Sequence, residues 1–417
     1  MIISVQKSKL EGVVHLSGAK NSVLRLLAAS ILSEGKIKIH NYPSGLLDAK
    51  IHVDMLNKLG KSVHQPDNET LIIDELEPIK SILLWEKRSI RNTLLILGAL
   101  TTRTGEGSVP LPGGCKLGDR KYDLHVMLLK KLGAEVWEEN EMLCARAPIG
   151  GFQGTDIQLP IRSTGATENA ILCGTLANGI TRIWNPHIRP EILDLVEFLN
   201  KMGAKISVYG QEHIEIKGVS GLNGVTHSVI PDNMEAITWL AGSVMTHGDI
   251  EIRGFPFEAL EVTMAHLRSS GAECFRFEDR LIVRGGKCYP IEISTGPHPG
   301  INSDIQPILA AYAAQANGIS KIVDLRFPGR YGYAEEMKKL GLDYKIEGNL
   351  LNIFGKNGGL MGNKVRALDL RAGAALLLSG LTAEGETIIE DAWQIERGYN
   401  NIFDKLSNLG AKVEVLR

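Results

Sequence analysis

The chain reads as an α/β protein built from six copies of one unit, grouped three and three into two similar globular domains with a cleft between them. Two periodic series, and a contrast between them, predict this. A glycine that follows an amphipathic helical pattern recurs at Gly60, Gly133, Gly203, Gly271, Gly341 and Gly410, a period of about seventy residues. Helices that are apolar on nearly every face form the second series and end near Gly35, Gly105, Gly179, Gly248, Gly318 and Gly385. A helix apolar all round must be buried, whereas one with a single apolar stripe lies on the surface. Each unit therefore supplies one interior and one exterior helix, joined by strands. A continuous solenoid is the alternative, but solenoid repeats usually run to only about 20–45 residues.

In chain order the bodies of the interior helices are 23–32, 93–100, 170–177, 236–244, 308–316 and 372–381. A short strand-like run follows each, such as Lys36-Ile37-Lys38-Ile39 or Asp249-Ile250-Glu251-Ile252. The glycines after the exterior helices suit a C′ position in the left-handed conformation. Lys58, Lys131, Lys201 and Lys339 just before them suit the negative end of a helix dipole.

At 417 residues the chain is too long for one typical core, which agrees with two domains. Its 44% hydrophobic and 23% charged residues are ordinary for a globular protein. A net charge of −2 gives no global attraction for nucleic acid, so anion binding must come from local clusters. No apolar run is long enough to span a membrane, and residues 1–10 lack a signal-peptide stretch. The five cysteines are odd in number and form no C-x-x-C pair, which argues against a disulfide framework and a zinc site. A cytoplasmic protein is the expectation. Cys144, Cys173, Cys274 and Cys288 read as small hydrophobes in strands or helices.

Charge collects where the interior helices begin. Their entrances carry Lys20-Asn21, Arg91-Asn92, the run from Ser163 to Asn169, Asp232-Asn233, Ser303-Asp304 and Asp369-Leu370-Arg371. Helix capping is reason enough for Asn21, Ser163 and Ser303. A cation at an N-terminus opposes the dipole, at a cost of a few tenths to about one kcal/mol. Lys20, Arg91 and Arg371 make that choice three times, and a bound anion between them resolves it; individual salt bridges are the plainer alternative. Arg120, Arg330 and Arg397 lie in glycine-bearing turns. Cys115 lies in Pro110-Leu111-Pro112-Gly113-Gly114-Cys115-Lys116-Leu117-Gly118-Asp119-Arg120. Glycines and prolines make this a loop; Lys116 and Arg120 point to a thiolate on a lid, and an incidental free thiol is the plainer alternative.

Together, Gly18-Ala19-Lys20-Asn21, Pro112-Gly113-Gly114-Cys115, Asp123-Leu124-His125, Ser163-Thr164-Gly165-Ala166-Thr167-Glu168-Asn169, Pro297-His298-Pro299 with Asp304, Asp369-Leu370-Arg371 and Arg397-Gly398-Tyr399 resemble the enolpyruvyl transferase family over essentially the whole chain. The resemblance implies two inside-out α/β domains, each of three β-α-β-α-β-β units with buried helices. It sets one domain at 20–228, carrying the Cys115 loop, and the other at 1–19 plus 229–417. It implies transfer of the enolpyruvyl group of phosphoenolpyruvate to the 3-hydroxyl of UDP-N-acetylglucosamine with release of phosphate, the first committed step of peptidoglycan synthesis. No metal or organic cofactor is implied, and the partners are these two small molecules, not nucleic acid or membrane.

By the same resemblance Cys115 is the general acid to C3, able to form a covalent phospholactoyl adduct and open to alkylation by fosfomycin. Asp304 is the base on the attacking hydroxyl or its relay. Lys20, Arg120 and Arg397 hold the phosphate, Arg330 and Arg371 hold the carboxylate, and Arg91 lies near. Asn21, Arg120, Asp123, Leu124, His125, Ser163, Gly165 and Asp304 contact the UDP-sugar.

Departures from the family pattern gather on the nucleotide-sugar side: Asp119-Arg120-Lys121-Tyr122, Thr164 with Arg162 before it, Ile301-Asn302-Ser303-Asp304, and Arg326 before Phe327. They leave open another acceptor such as UMP; a shikimate phosphate fits less well, because that branch lacks the Gly-Gly-Cys loop. A catalytically silent UDP-sugar-binding paralogue is the reading from another class, which loss of Cys115, Asp304 or the arginines would favour.

Overall fold

The computed structural model describes residues 1–88, 90–111, 122–356 and 358–416. Cys115, Lys116, Arg120 and Lys121 therefore lie outside the described residues. Two compact units divide the chain: a central unit, Gly18–Ser44 with Asp48–Ile230, and a terminal unit, Met1–Ser17, Gly45–Leu47 and Pro231–Arg417. Among the described residues no helix is long and apolar enough to cross a membrane.

The architecture is α/β, and the described residues form three sheets in each unit. The sheet formed by Asp156–Gln158, Ile180–Trp184, His213–Lys217 and Lys205–Tyr209 shows the common plan. Its first two strands run parallel, with Ile183 opposite Ile157, and the remaining pairings are antiparallel. A parallel pair needs a crossover, and helix Thr164–Thr175 supplies it. Helix Pro190–Lys201 then leads into the closing hairpin. The unit is thus β-α-β-α-β-β. In the sheet of Glu106–Pro110, Met142–Arg146 and Glu135–Glu139, the leading strand shrinks to one parallel bridge from Ile82 to Ser108.

Two sheets borrow their leading strand from elsewhere in the sequence. Val225–Ser228 pairs parallel with Ile37–His40 in the central unit. Glu11–His15 pairs parallel with Asp249–Arg253 in the terminal unit. In the last sheet Ile3–Gln6 lies between Glu386–Glu390 and Lys412–Val415, antiparallel to both.

Burial separates the two kinds of helix as the periodicity predicts. Every residue of Asn233–Met245, Gln306–Ala314 and Leu370–Thr382 is buried, whereas Gly332–Lys339 buries only Tyr333, Ala334 and Met337. Each buried Leu, Ile or Phe stabilises the fold by roughly 1.5–3 kcal/mol, so the interior helices dominate the cores. The glycines of the first series all have positive φ: Gly60 110°, Gly133 100°, Gly203 105°, Gly271 95°, Gly341 98° and Gly410 83°. A side chain there would be strained, which is why the same residue recurs six times.

One cysteine lies elsewhere than its sequence context predicts. Cys144 and Cys274 lie in strands and Cys173 in a helix, but Cys288 falls in the loop after strand Arg280–Gly286. There it packs partly buried against the core and near Tyr312.

Candidate functional site

In the central unit, Lys20 is the first residue of helix Lys20–Ala29, whose N-cap, Ala19, has no side-chain cap. Asn21, expected to cap, is instead the second helical residue and half-buried. Gly18 explains how the backbone arrives there: a Cβ would collide with the Asn41 carbonyl oxygen. The Lys20 ammonium lies 2.9 Å from Asp48 Oδ2, with side chains only 10% and 5% exposed. Arg91 is half-buried in the turn before helix Thr93–Thr104. Its neighbour Asn92 donates to the Leu24 carbonyl at 2.8 Å and meets His52 Nδ1 at 3.0 Å.

The entrance of helix Thr164–Thr175 gathers a second group. Ser163 caps it, accepting from the Ala166 amide at 3.4 Å. His125, in the first turn of helix Asp123–Lys131, places Nδ1 3.1 Å from Asn169 Nδ2. Its Nε2 faces Gly165, where a Cβ would lie only 3.2 Å away. Burial, helped by the Arg91 charge, pushes the His125 imidazole down to about 3, so it stands neutral at pH 7. Asp123 is exposed at the helix start, and Leu124 is half-buried.

In the terminal unit, charges of both signs interlock. Asp304 Oδ1 accepts from Arg330 Nη1 at 3.0 Å, and Oδ2 lies 3.9 Å from Arg371 Nε. Arg330 also faces Asp369 at 3.5 Å. Asp369 is the N-cap of helix Leu370–Thr382, accepting from the amides of Arg371 and Ala372 at 2.7 and 2.8 Å. Arg371 is 1% exposed, with its guanidinium 4.9 Å from the centre of the Tyr399 ring. Burial alone would pull that guanidinium down, but Tyr399, Asp304 and Asp232 hold it above its ordinary value. Arg371 Nε and Nη1 and Arg330 Nε are buried without a hydrogen-bond partner among the described residues. Orphaned charged donors cost more than neutral ones, so such groups call for a reason. An oxyanion supplies one.

Ser303, expected as a cap, lies outside its helix: Ile305 is the N-cap of Gln306–Ala314, and Ser303 donates to Asp324 at 2.6 Å. Arg397 follows the short helix Trp393–Glu396, is 5% exposed and donates to Gln394 at 3.0 Å. Of the extra cations, Arg162 donates to Asn185 at 3.3 Å, while Arg326 stands exposed over the Phe327 ring.

Geometry adds residues that sequence reasoning did not assign. Asp369 was visible in the Asp-Leu-Arg motif, yet its double role as cap and partner of Arg330 was not. Asp48 and Tyr399 carry no local signal of their roles towards Lys20 and Arg371. Asp324 accepts from Ser303, Thr295 and the Arg326 and Phe327 amides. It braces the loop leading to Arg330.

Fold and site together define an enolpyruvyl transferase scaffold: residues 5–406 match the family EPSP synthase (3-phosphoshikimate 1-carboxyvinyltransferase), and the chain belongs to that family. Within it, the chain is 39% identical over 412 residues to UDP-N-acetylglucosamine 1-carboxyvinyltransferase 2 of Carboxydothermus hydrogenoformans, covering 98% of this chain and 97% of that one. It is 38% identical over 418 residues to the UDP-N-acetylglucosamine 1-carboxyvinyltransferase of Finegoldia magna, covering 99% and 98%. The solved enolpyruvyl transferase NikO from Streptomyces tendae superposes with a TM-score of 0.89 at 24% identity, covering 99% of this chain and 98% of that one. EPSP synthase from Acinetobacter baumannii superposes with a TM-score of 0.79 at 18% identity, with full coverage of both chains. These two structures share the fold.

Proposed function

We propose that the protein transfers the enolpyruvyl group of phosphoenolpyruvate to the 3-hydroxyl of UDP-N-acetylglucosamine, releasing phosphate and opening peptidoglycan synthesis. The full-length relatives bearing that activity in their names support the acceptor. The observation that carries the donor chemistry is Arg371, a guanidinium sunk at a helix N-terminus, with N–H donors unpaired among the described residues and with Asp304 shared with Arg330.

In this reading Arg330 and Arg371 hold the carboxylate of phosphoenolpyruvate, and Lys20, Arg120 and Arg397 hold its phosphate, with Arg91 near. Asn21, Arg120, Asp123, Leu124, His125, Ser163, Gly165 and Asp304 receive the UDP-sugar. Asp304 takes the proton of the attacking hydroxyl as its oxygen bonds to C2, while the Cys115 thiol protonates C3. Loss of a C3 proton then restores the double bond as the C2–O bond to phosphate breaks. The cations stabilise the charge that gathers on the departing phosphate. In this reading the protein works in the cytoplasm.

Phosphate release from phosphoenolpyruvate, measured in parallel with UDP-N-acetylglucosamine, UMP and shikimate 3-phosphate, tests the reading. Turnover with the first is expected; turnover only with UMP or shikimate 3-phosphate moves the acceptor, and none with any of them favours a silent sugar-binding protein. Fosfomycin with the nucleotide sugar present is expected to add one covalent equivalent at Cys115 by intact mass.

A further inference from the structure

We propose that Asp48 is a positioning residue for Lys20, fixing the ammonium that holds phosphate in the reaction above; the inference rests on that reading of Lys20. Lys20 opens helix Lys20–Ala29, where the dipole repels a cation. Asp48 lies in the first turn of helix Leu47–Leu59, where the dipole welcomes an anion. The two termini meet through these side chains, with Nζ and Oδ2 2.9 Å apart and both groups about nine-tenths buried. Exposed pairs contribute little, but removing one partner of a buried pair strands the other charge.

A second contact from the same helix points the same way. His52 stands one helical turn beyond Asp48 and meets the Asn92 amide at 3.0 Å; Asn92 in turn donates to Leu24 in the Lys20 helix at 2.8 Å. One exterior helix thereby braces two interior-helix entrances, those of Lys20 and of Arg91. A lysine ammonium has three donors on a flexible four-carbon stem, so one carboxylate anchor orients the head while it serves a phosphate oxygen as well. A carboxylate repels a phosphate dianion, so Asp48 acts through Lys20 and not on the substrate.

Steady-state kinetics of Asp48→Asn, Asp48→Glu and Lys20→Met in the full chain test this. Asp48→Asn is expected to raise the KM for phosphoenolpyruvate about tenfold and to weaken inhibition by inorganic phosphate by a like factor. Its KM for UDP-N-acetylglucosamine should stay within about threefold, while kcat falls, because the displaced ammonium no longer steadies the departing phosphate. Asp48→Glu, which restores the charge, should recover part of the affinity. Native values in Asp48→Asn, or a uniform fall in every parameter that Glu does not relieve, overturn the proposal. Should thermal denaturation show Asp48→Asn unfolded, Asp48→Glu decides alone, because its longer stem moves the carboxylate: a selective rise in the KM for phosphoenolpyruvate supports the proposal and no change overturns it. Lys20→Met separates the two possible failures. Lost phosphoenolpyruvate affinity there with native Asp48→Asn removes only the role of Asp48. Native affinity in Lys20→Met removes the assignment of Lys20, and the inference with it.

Discussion

Lys20 in the central unit and Arg371 in the terminal unit occupy equivalent places, each within the first two residues of an interior helix, yet their charges are balanced by different means. Lys20 has a carboxylate borrowed from a neighbouring helix, 2.9 Å away. Arg371 is more deeply sunk and rests on an aromatic face, with Asp304 at 3.9 Å and with Nε and Nη1 lacking a hydrogen-bond partner among the described residues. A compact ammonium on a flexible stem needs an anchor to define its position, whereas a planar guanidinium stacked on a ring is already oriented. The comparison teaches that the terminal unit presents the more rigid anion grip, and the central unit one that depends on a second residue.

If that is so, Arg371→Met should be the most damaging change, lowering kcat/KM for phosphoenolpyruvate by about 10³-fold, as loss of a preorganised charge donor does. Steady-state kinetics check it, and a loss smaller than that of Lys20→Met would reverse the ranking of the two units. Asp304→Asn should lower kcat about 10²-fold with KM values little changed, the pattern of a lost proton acceptor. An effect on KM alone would make Asp304 a binding group that only steadies Arg330.

The units should also differ in acid. Burial first, and then Arg25, push the His52 imidazole down to about 3, as burial and Arg91 do for His125. An unfolded histidine binds its proton near pH 6.5, so between that value and about 3 the unfolded chain holds more protons than the folded one. The stability from these two neutral side chains is therefore fully present above pH 6.5 and is lost as pH falls towards 3. Denaturant unfolding followed from pH 7 to 4 should show it, and His52→Gln should flatten the slope by up to one proton. An unchanged slope would mean that His52 is protonated in the fold. The smallest expected effect is on stability: Asp369→Ala removes a helix cap and should cost about 1–2 kcal/mol, visible in denaturant midpoints.

Much of the fold was legible because its grammar is local and repeated. Six glycines after six amphipathic stripes report a backbone conformation that few other residues tolerate, and apolarity around a whole helix reports burial directly. The anomalous cations at helix entrances were legible for the same reason, since each violates a rule within its own turn. What sequence could not show is partnership across distance. Asp48 is 28 positions from Lys20 by numbering, and nothing in Leu47-Asp48-Ala49 marks it. Asn21 and Ser303 misled because they are cap-type residues near helix starts, yet the helices begin one residue before Asn21 and three after Ser303. A cap is defined by its place in the backbone: Ala19 is extended there and Ile305 already helical, and neither offers a capping side chain.

The strand Ile3–Gln6 sits inside the sheet whose other members lie beyond residue 363. A ribosome makes that strand long before its neighbours. The stretch from Gly18 to Ile230, all but three of whose residues belong to the central unit, can close its cores while synthesis continues. Ile3–Gln6 must meanwhile wait, unpaired, for the strands that will flank it.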